Sequence, residues 1–479
     1  MHDGAQLPDS GSTVEAGVPL VISEELVGGG PSLLIVTLLA YLKASLSQIL
    51  RVAAWLLRGR EYAERKLAEA GVAQGLSLSP RLAAFVDAAA AEGRAVYLVA
   101  DRCSPLLEAL AGRHPSIAGI VIDWRARRMK ARRAATWLLD RFPGGYDAVV
   151  SRRGGVEVIS HAPALSRGYA PRRPATIGEE ELPRVSVVRE IAKGLRLHQC
   201  VKNVVVFVPI VLGGRLTDLT EVAHTLVAFV ALSCVASGTY LLNDIWDVAE
   251  DRKHWSKKDR PIASGRLSAA TALRVALLLI PVGMLLGAAI SWPTCAALAL
   301  YLVLTLCYTL HLKTVPFVDG LTLASLFTIR LGIGAVAANV PPSAWLFVFS
   351  MFLFSSLSYA KRYTEISRAI VRQSHGMNGR GYRPVDAPLV LTLGVSTGIG
   401  AVMIMVLYIV EEAFRSSFYG STSWLWGFPP LVFLFVIRIW MVSARGEMMD
   451  DPVAFAIRDR ACIGLLCLLL ICFGIAWLG

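Results

Sequence analysis

The chain has 479 residues, of which 55% are hydrophobic, and its formal net charge is +12. This length exceeds that of one ordinary domain, and the apolar share exceeds that of a typical soluble protein. The charge does not point to nucleic acid as a partner, because the basic residues lie in loops between apolar runs, as in membrane proteins. The eight cysteines are scattered without a CxxC pair, so we predict neither a disulfide framework nor a zinc site.

Residues 1–185 are predicted to form a soluble α/β domain, with the boundary in the proline-containing, charged stretch that ends near Glu179–Ser186. Short apolar runs that read as buried strands alternate with helical patterns, which is typical of a doubly wound, Rossmann-like domain. The predicted strands are 19–23, 95–100, 117–122 and 147–151, and the predicted helices include 81–93, 104–113 and 130–140. Residues Met1–Gly30 lack a basic stretch followed by an apolar core, so we expect no cleaved signal peptide there.

Two segments of this first part have more than one interpretation. Lys43, Ser45 and Gln48 interrupt the apolar stretch Leu33–Leu57, which favours amphipathic or packed helices over an additional membrane span. The stretch Arg125–Arg133 has six basic residues of nine. We expect it to be a solvated helix face, and docking on an anionic membrane leaflet is the alternative.

Residues 186–479 are predicted to form an all-α membrane bundle of about nine transmembrane helices, since most of their apolar runs approach the length that a bilayer needs. The predicted spans are 203–213, 221–242, 268–290, 293–310, 317–339, 343–360, 387–410, 424–442 and 461–478. Loops 243–267, 311–316, 361–386 and 443–460 carry sixteen Lys and Arg residues, whereas the alternate loops carry only Arg215 and Arg415. This asymmetry predicts that the first set of loops and the N-terminal domain face the cytoplasm, as in a bacterial inner membrane.

An acidic stretch follows the second span. Asn243, Asp247 and Asp251 are spaced i, i+4, i+8, so on a helix they lie within an arc of about 80°. With Asp244 beside them, these oxygen ligands predict a Mg²⁺ site. A solvated acidic helix end is the alternative.

Basic residues accompany this stretch and recur in later loops. Lys257, Lys258 and Arg260 follow the acidic stretch closely, where they are suited to diphosphate oxygens. Arg330 lies eleven residues after Asp319, which on a helix is a rise of about 16 Å, near the middle of a bilayer. We expect Arg330 to anchor a lipid-borne phosphate, and a structural tie to backbone carbonyls or a neighbouring helix is the alternative.

The pattern Asn-Asp-x-x-Asp-x-x-x-Asp at 243–251, followed by Arg-Pro-x-x-x-Gly at 260–265, resembles the first signature of the UbiA prenyltransferase superfamily. The resemblance covers roughly residues 190–479. It implies a nine-helix membrane enzyme whose aspartates hold Mg²⁺ and a diphosphate. Asn243, Asp244, Asp247, Asp251 and the later Asp319 would then be the metal ligands, with Asp247, Asp251 and Asp319 essential for catalysis.

Three further motifs resemble the polyprenyl-phosphate phosphoribosyltransferase branch of that superfamily. They supply predicted substrate-binding residues beside Lys257, Lys258, Arg260 and Arg330. Val315 stands where the aromatic-prenyl branch has a first aspartate, and Leu197 and Cys200 depart from the Pro and Trp of the phosphoribosyl branch. The motifs are Leu195–Asn203, Tyr308–Lys313 and Lys361–Glu365. Their predicted substrate-binding residues are Lys202 and Asn203 in the first, Tyr308 and Lys313 in the second, and Lys361 and Arg362 in the third.

The N-terminal domain resembles the haloacid-dehalogenase-like (HAD-like) phosphatase domain by its order of elements and its position. Its catalytic residues are missing: Ser23 and Glu25 stand in place of the two aspartates, and Ala100 in place of a phosphate-binding Thr or Ser. Lys130 matches that family's lysine. Since an unassisted serine does not replace a carboxylate nucleophile, we expect a non-catalytic scaffold or regulator.

The function that these resemblances imply is phosphoribosyl transfer from phosphoribosyl pyrophosphate to polyprenyl phosphate. Prenyl transfer from an isoprenyl diphosphate to an aromatic or other small acceptor is the alternative within the same frame. A transporter, or a binding protein with a pseudo-phosphatase sensor, is the alternative of another class. The sequence leaves the identities of donor and acceptor, the lipid length and the oligomeric state open.

Overall fold

The fold is described from a computed structural model of the chain. The residues that it describes are 17–23, 31–44, 46–72, 78, 80–123, 137–152, 155–161, 186–253, 257–371, 381–415, 418–448 and 451–478. By compactness they divide into two units, the first made of residues 1–195 and 241–274 and the second of 196–240 and 275–479. The predicted boundary near 179–186 stays a prediction.

The first unit contains a five-stranded sheet in the order β3-β2-β1-β4-β5. Strands β1 to β4 pair in parallel, and β5 closes one edge as an antiparallel hairpin partner of β4. All four predicted strands are confirmed, and β5 was not predicted. The strands are β1 Gly17–Ser23, β2 Arg94–Ala100, β3 Ile117–Ile122, β4 Tyr146–Arg152 and β5 Gly155–His161.

Five helices accompany this sheet: α1 Pro31–Ala44, α2 Ile49–Leu57, α3 Arg60–Glu69, α4 Pro80–Ala91 and α5 Pro105–Ala111. Leu82, Phe85, Val86 and Ala89 recur at helical spacing along α4 and pack on the apolar side chains of β1 and β2. The first part of α1 packs against α2, α3 and α5 through Leu33, Leu34 and Leu38. Helices 81–93 and 104–113 are therefore confirmed, whereas Lys130, Glu25, Arg125–Arg133 and most of 130–140 lie outside the described residues.

Within the described residues, eight helices are long and apolar enough to cross a membrane. A ninth span arises if Val187–Gly194 and Leu197–Leu212, which are bent by 41°, count as one. The predicted spans agree with these elements to within a few residues at most ends. The exception is the sixth predicted span, 343–360, whose helix extends to Val371. The helices are α6 Val187–Gly194, a 3-10 segment Leu197–Phe207, α7 Val208–Leu212, α8 Leu219–Trp246, α9 Val248–Lys253, α10 Ala269–Ile290, α11 Trp292–Leu310, α12 Val318–Ala337, α13 Ala344–Val371, α14 Ala387–Glu411, α15 Phe428–Ala444, α16 Pro452–Ala456 and α17 Arg460–Leu478.

In the second unit, the 3-10 segment Leu197–Phe207 crosses α12 at a glycine. A Cβ added at Gly334 would lie 2.0 Å from the carbonyl oxygen of Val206, so a larger residue there would push the two segments apart. This close approach matters for the site, because the 3-10 segment carries Lys202 and Asn203, and α12 carries Asp319 and Arg330.

Candidate active site

The acidic motif, defined as residues 243–251, lies in the first unit where α8 ends and α9 begins. The amide of Asp247 donates to the carbonyl of Asn243 at 2.9 Å, and the amide of Asp251 donates to that of Asp247 at 2.8 Å. The helical path is thus maintained through the motif, and the spacing i, i+4, i+8 has the geometry that the sequence predicted. Asp244 and Asp251 are buried, Asn243 and Asp247 are half-buried.

Two buried carboxylates of this motif converge on one guanidinium. Nη1 of Arg260 lies 2.7 Å from Asp251 Oδ2 and 3.2 Å from Asp244 Oδ1. Burial raises the pKa of Asp251, and the charge of Arg260 opposes that shift. A proton and a cation therefore compete for Asp251. Arg260 therefore lies beside the motif, as the sequence predicted, while its binding of a diphosphate stays a prediction. In the turn before Arg260, Lys257 is half-buried and Lys258 is exposed.

A lysine that the sequence analysis did not assign to the site reaches the same motif from α1. Nζ of Lys43 lies 2.6 Å from Glu250 Oε2 and 3.7 Å from Asp247 Oδ1, and it donates to the carbonyl of Trp246 at 3.4 Å. The contact spans 203 positions of the chain. The only signal in the sequence was that Lys43 interrupts an apolar run.

The motif has the chemistry that Mg²⁺ prefers, since it offers carboxylate and amide oxygens on one side of a helix. Among the residues that the structure describes, no group of three or more His, Cys, Asp or Glu is arranged to hold a metal ion. Arg260 and Lys43 contact the carboxylates instead. The five-residue ligand set that includes Asp319 therefore stays a prediction.

In the second unit, Asp319 lies in the first turn of α12 and is completely buried. Its Oδ2 is 2.5 Å from Nε of Arg362, which is itself 1% exposed. Nη1 of Arg362 lies 2.5 Å from Oε2 of Glu365. The two carboxylates compensate the buried guanidinium of Arg362 for the hydration that it loses. Two of the predicted site residues, Asp319 and Arg362, are thus brought together.

Tyr382 completes this arrangement and was not identified from the sequence. Its hydroxyl donates to Asp319 Oδ1 at 2.6 Å and accepts from the amide of Phe317 at 2.8 Å. Phe317 has a positive φ of 65°, a strained conformation for a residue with a side chain, and Tyr359 donates to its carbonyl at 3.2 Å. The two tyrosines therefore hold the turn that orients Asp319. Burial, and then the charge of Asp319, raise the pKa of Tyr382.

A second group in this unit, which we call the basic cluster, consists of Lys202, Lys361, Asp451, Asn203 and Arg330. Oδ2 of Asp451 lies 3.1 Å from Nζ of Lys202 and 3.0 Å from Nζ of Lys361. Burial by itself would raise the pKa of Asp451, but the two ammonium groups outweigh that effect and lower it well below its ordinary range. Asp451 is ionised at neutral pH, and two lysines share it.

Arg330 is connected to the basic cluster through Asn203, which follows Lys202 in the 3-10 segment. The guanidinium is 4% exposed, and it donates to Asn203 Oδ1 at 3.0 Å, to the carbonyl of Leu326 at 2.9 Å and to the Tyr301 hydroxyl at 3.1 Å. It also lies over the rings of Tyr301 and Phe327. These contacts fit the structural-tie alternative, and all three hydrogen-bond partners of the buried guanidinium are neutral.

The two remaining predicted residues lie at or near the end of α11. Tyr308 is half-buried and within electrostatic range of Arg362 and Asp319. Lys313 is half-buried in the 3-10 segment Leu312–Thr314. We call Asp319, Arg362, Glu365 and Tyr382 the Asp319 group. Each predicted site residue is described, and most of them belong to the acidic motif, to the Asp319 group or to the basic cluster.

The geometry defines a membrane protein with an acidic helix end and buried groups of fixed charge, which is the composition of an enzyme that handles anionic substrates at a bilayer. The family model described as "UbiA prenyltransferase family" matches residues 205–458, more than half of the chain. The chain therefore belongs to the UbiA prenyltransferase family. It is an integral membrane protein and a UbiA-family transferase.

Individual proteins are similar to this chain over most or part of its length. The uncharacterised protein y4nM of Sinorhizobium fredii is 31% identical over 86% of this chain and 82% of its own length. Decaprenyl-phosphate phosphoribosyltransferase of Mycobacterium tuberculosis is 32% identical over 58% of this chain and 91% of its own length. A solved structure of a UbiA homologue from Archaeoglobus fulgidus bound to GPP and Mg²⁺ is 12% identical, with a TM-score of 0.46, over 60% of this chain and 98% of that one.

Proposed function

We propose that this transferase moves a phosphoribosyl group from phosphoribosyl pyrophosphate to polyprenyl phosphate. The observation that carries the proposal is the positive charge of the basic cluster, in which Lys202 and Lys361 share one carboxylate and Arg330 has neutral hydrogen-bond partners. An acceptor that ends in a phosphate needs such a site in addition to the one for the diphosphate of the donor. The similarity to a decaprenyl-phosphate phosphoribosyltransferase supports the same choice.

The acidic motif is the proposed site for the diphosphate of the donor. Asn243, Asp244, Asp247 and Asp251 would hold Mg²⁺, which would neutralise charge on the diphosphate as it leaves. Arg260 is already in contact with two of these carboxylates, and we expect its guanidinium to bind diphosphate oxygens when they arrive. Lys257 and Lys258, in the turn that leads to Arg260, supply further positive charge.

The proposed chemistry needs no general base. A phosphate oxygen of the lipid forms a bond to C1 of the ribose, the bond between C1 and the diphosphate oxygen breaks, and the electron pair leaves with the diphosphate. The lipid phosphate is ionised near neutral pH, so no proton has to be removed. We assign Lys202, Lys361 and Arg330 to holding that phosphate. The Asp319 group is assigned to positioning the ribose hydroxyls, together with Tyr308 and Lys313, which are close to Asp319 in sequence.

Prenyl transfer is the second candidate. In that reaction the diphosphate is carried by an isoprenoid, an allylic cation forms, and a carboxylate takes a proton from the acceptor. The observation that favours it is Asp319, which Arg362 and Tyr382 hold in one orientation in the buried first turn of α12. In this alternative Asp319 takes part in the metal site or accepts the proton.

The location of the active site is part of the proposal. Loops rich in Lys and Arg alternate with loops that are nearly free of them, which supports a cytoplasmic position for the acidic motif in a bacterial inner membrane. The N-terminal domain is proposed to be a non-catalytic relative of HAD-like phosphatases. Ser23 and Ala100 end the adjacent strands β1 and β2, at an edge of the sheet where that chemistry needs an aspartate and a hydroxyl.

Two substrate sets test the proposal on the purified protein in lipid nanodiscs with Mg²⁺. One set is phosphoribosyl pyrophosphate with polyprenyl phosphate, and the other is a prenyl diphosphate with an aromatic acid. We expect a lipid-extractable product from the first set, and product from the second set alone would reverse the choice. Asp247→Ala should abolish turnover with unchanged expression and thermal stability, whereas full activity without divalent cations would remove the proposed metal site.

A further inference from the structure

Helix α2 carries an apolar stripe that nothing in its own unit covers among the described residues. Leu50, Ala53, Ala54 and Leu57 recur at i, i+3, i+4 and i+7 and therefore lie on one face of the helix. All four are exposed, Leu50 by 80% and Leu57 by 89%. The neighbouring Ile49 and Leu56 are exposed as well, so the patch is continuous along the helix and needs an apolar partner.

The opposite face of α2 fixes the helix to the domain. Val52 is 5% exposed and belongs to the same core as Leu67 and Leu106. The ring of Trp55 lies 5.1 Å from that of Tyr41 on α1. The stripe is therefore not needed to pack α2 on the domain. The contacts of Val52 and Trp55 on the opposite face of the helix hold the stripe away from the domain core.

These contacts also connect α2, through α1, to the end of the apolar helix α8. Tyr41, against which Trp55 packs, precedes Lys43 by two residues on α1. Lys43 donates to the carbonyl of Trp246, the last residue of α8. α8 is long and apolar enough to cross a membrane, and α2 packs on the part of α1 that contacts its last residue.

The ends of the stripe carry positive charge. Arg51 and Arg58 follow Leu50 and Leu57 directly, and both are exposed. Leucines on one face, with exposed arginines beside them, are the composition of a helix that lies in the headgroup layer of an anionic membrane. We propose that α2 is such an interfacial helix and that it binds the N-terminal domain to the anionic lipid leaflet beside α8.

This inference is independent of the reaction that the enzyme catalyses. It divides the apolar stretch Leu33–Leu57 into a helix, α1, whose first part is packed in the domain core, and a helix, α2, that contacts lipid. Neither of them crosses the bilayer in this arrangement.

The test uses the whole protein with its eight cysteines replaced, in nanodiscs that contain anionic lipid. A nitroxide label is attached through Leu50→Cys, and through Glu92→Cys as the control on an exposed acidic position next to α4. Power-saturation EPR compares collision of each label with apolar oxygen and with a water-soluble nickel chelate. We expect oxygen to dominate at position 50 by severalfold and the nickel chelate to dominate at position 92.

Three outcomes would overturn the proposal. Equal access of the nickel chelate to both labels would place α2 in water. Protection of the Leu50→Cys label from both reagents would mean that protein, such as a second copy of the chain, covers the stripe. An unchanged ratio of oxygen to nickel-chelate collisions at position 50, after anionic lipid is replaced by zwitterionic lipid, would remove the role of Arg51 and Arg58.

Discussion

Replacing Asp451 by asparagine should destabilise the basic cluster by an amount that the contacts allow us to estimate. Asp451 Oδ2 lies 3.1 Å from Nζ of Lys202 and 3.0 Å from Nζ of Lys361, and the side chain is 25% exposed. A hydrogen bond to a charged group contributes about 1.5–3 kcal/mol. Asparagine keeps a neutral acceptor but leaves two ammonium groups facing each other. We therefore expect the free energy of unfolding to fall by about 2–3 kcal/mol.

The assay is equilibrium unfolding by SDS in mixed micelles, with and without inorganic phosphate. If the cluster is an anion site, phosphate can replace the lost carboxylate, so it should stabilise Asp451→Asn more than the wild type. Asp459→Asn is the matched control, because it removes another ion-paired carboxylate, the one that contacts Arg438 at 2.8 Å. An unchanged unfolding free energy in Asp451→Asn, or equal stabilisation of all three proteins by phosphate, would refute the reasoning.

Three other contacts give further predictions. Lys43→Met should tighten Mn²⁺ binding in EPR titrations without substrate by up to about fivefold, the scale of a partly exposed ion pair. The control is Lys66→Met, which removes an exposed ion pair on α3. Equal Mn²⁺ affinities of Lys43→Met and the wild type would contradict the role of Lys43. Tyr382→Phe leaves the buried Asp319 carboxylate without its 2.6 Å donor, so the unfolding free energy should fall by about 2 kcal/mol; a wild-type value would show that water replaces the hydroxyl. The pKa of Asp459 is lowered to about 2, first by its hydrogen bond from Arg438, so its stabilising effect is complete above its unfolded value near 4 and is lost as the pH falls toward 2. The stability difference between wild type and Asp459→Asn should disappear over that interval, and a constant difference would contradict the assignment.

The helices of the membrane part and the strands of the first part follow from local patterns. Apolar runs near the length of a bilayer predicted the spans within a few residues at most ends, because a helix is the structure that satisfies its own backbone in lipid. Strand β5 was missed because its sequence, GVEVISH, interrupts strand-favouring Val and Ile with polar residues and depends on pairing with β4 at the edge of the sheet. Pairing of this kind is a tertiary contact and leaves a weak local signal.

The site was predicted unevenly for the same reason. Arg260 contacts Asp244 and Asp251, which lie within sixteen positions of it; the sequence predicted that Arg260 lies near the acidic stretch, but not this ion pair. Tyr382 is 63 positions from Asp319, and Asp451 is 90 positions from Lys361. No periodicity connects residues at such separations, and a tyrosine in a loop has no distinguishing pattern of its own.

The sequence by itself determined that this protein has strands and helices ahead of a membrane bundle, and that carboxylate and amide side chains lie on one side of a helix end. Helical spacing and apolar length decide both, and these are properties of neighbouring residues. Only the tertiary structure decided which charges meet: Arg362 with Asp319, two lysines with Asp451, and Lys43 with the acidic motif. Buried charges need partners, and the fold, which brings distant parts of the chain together, selects them.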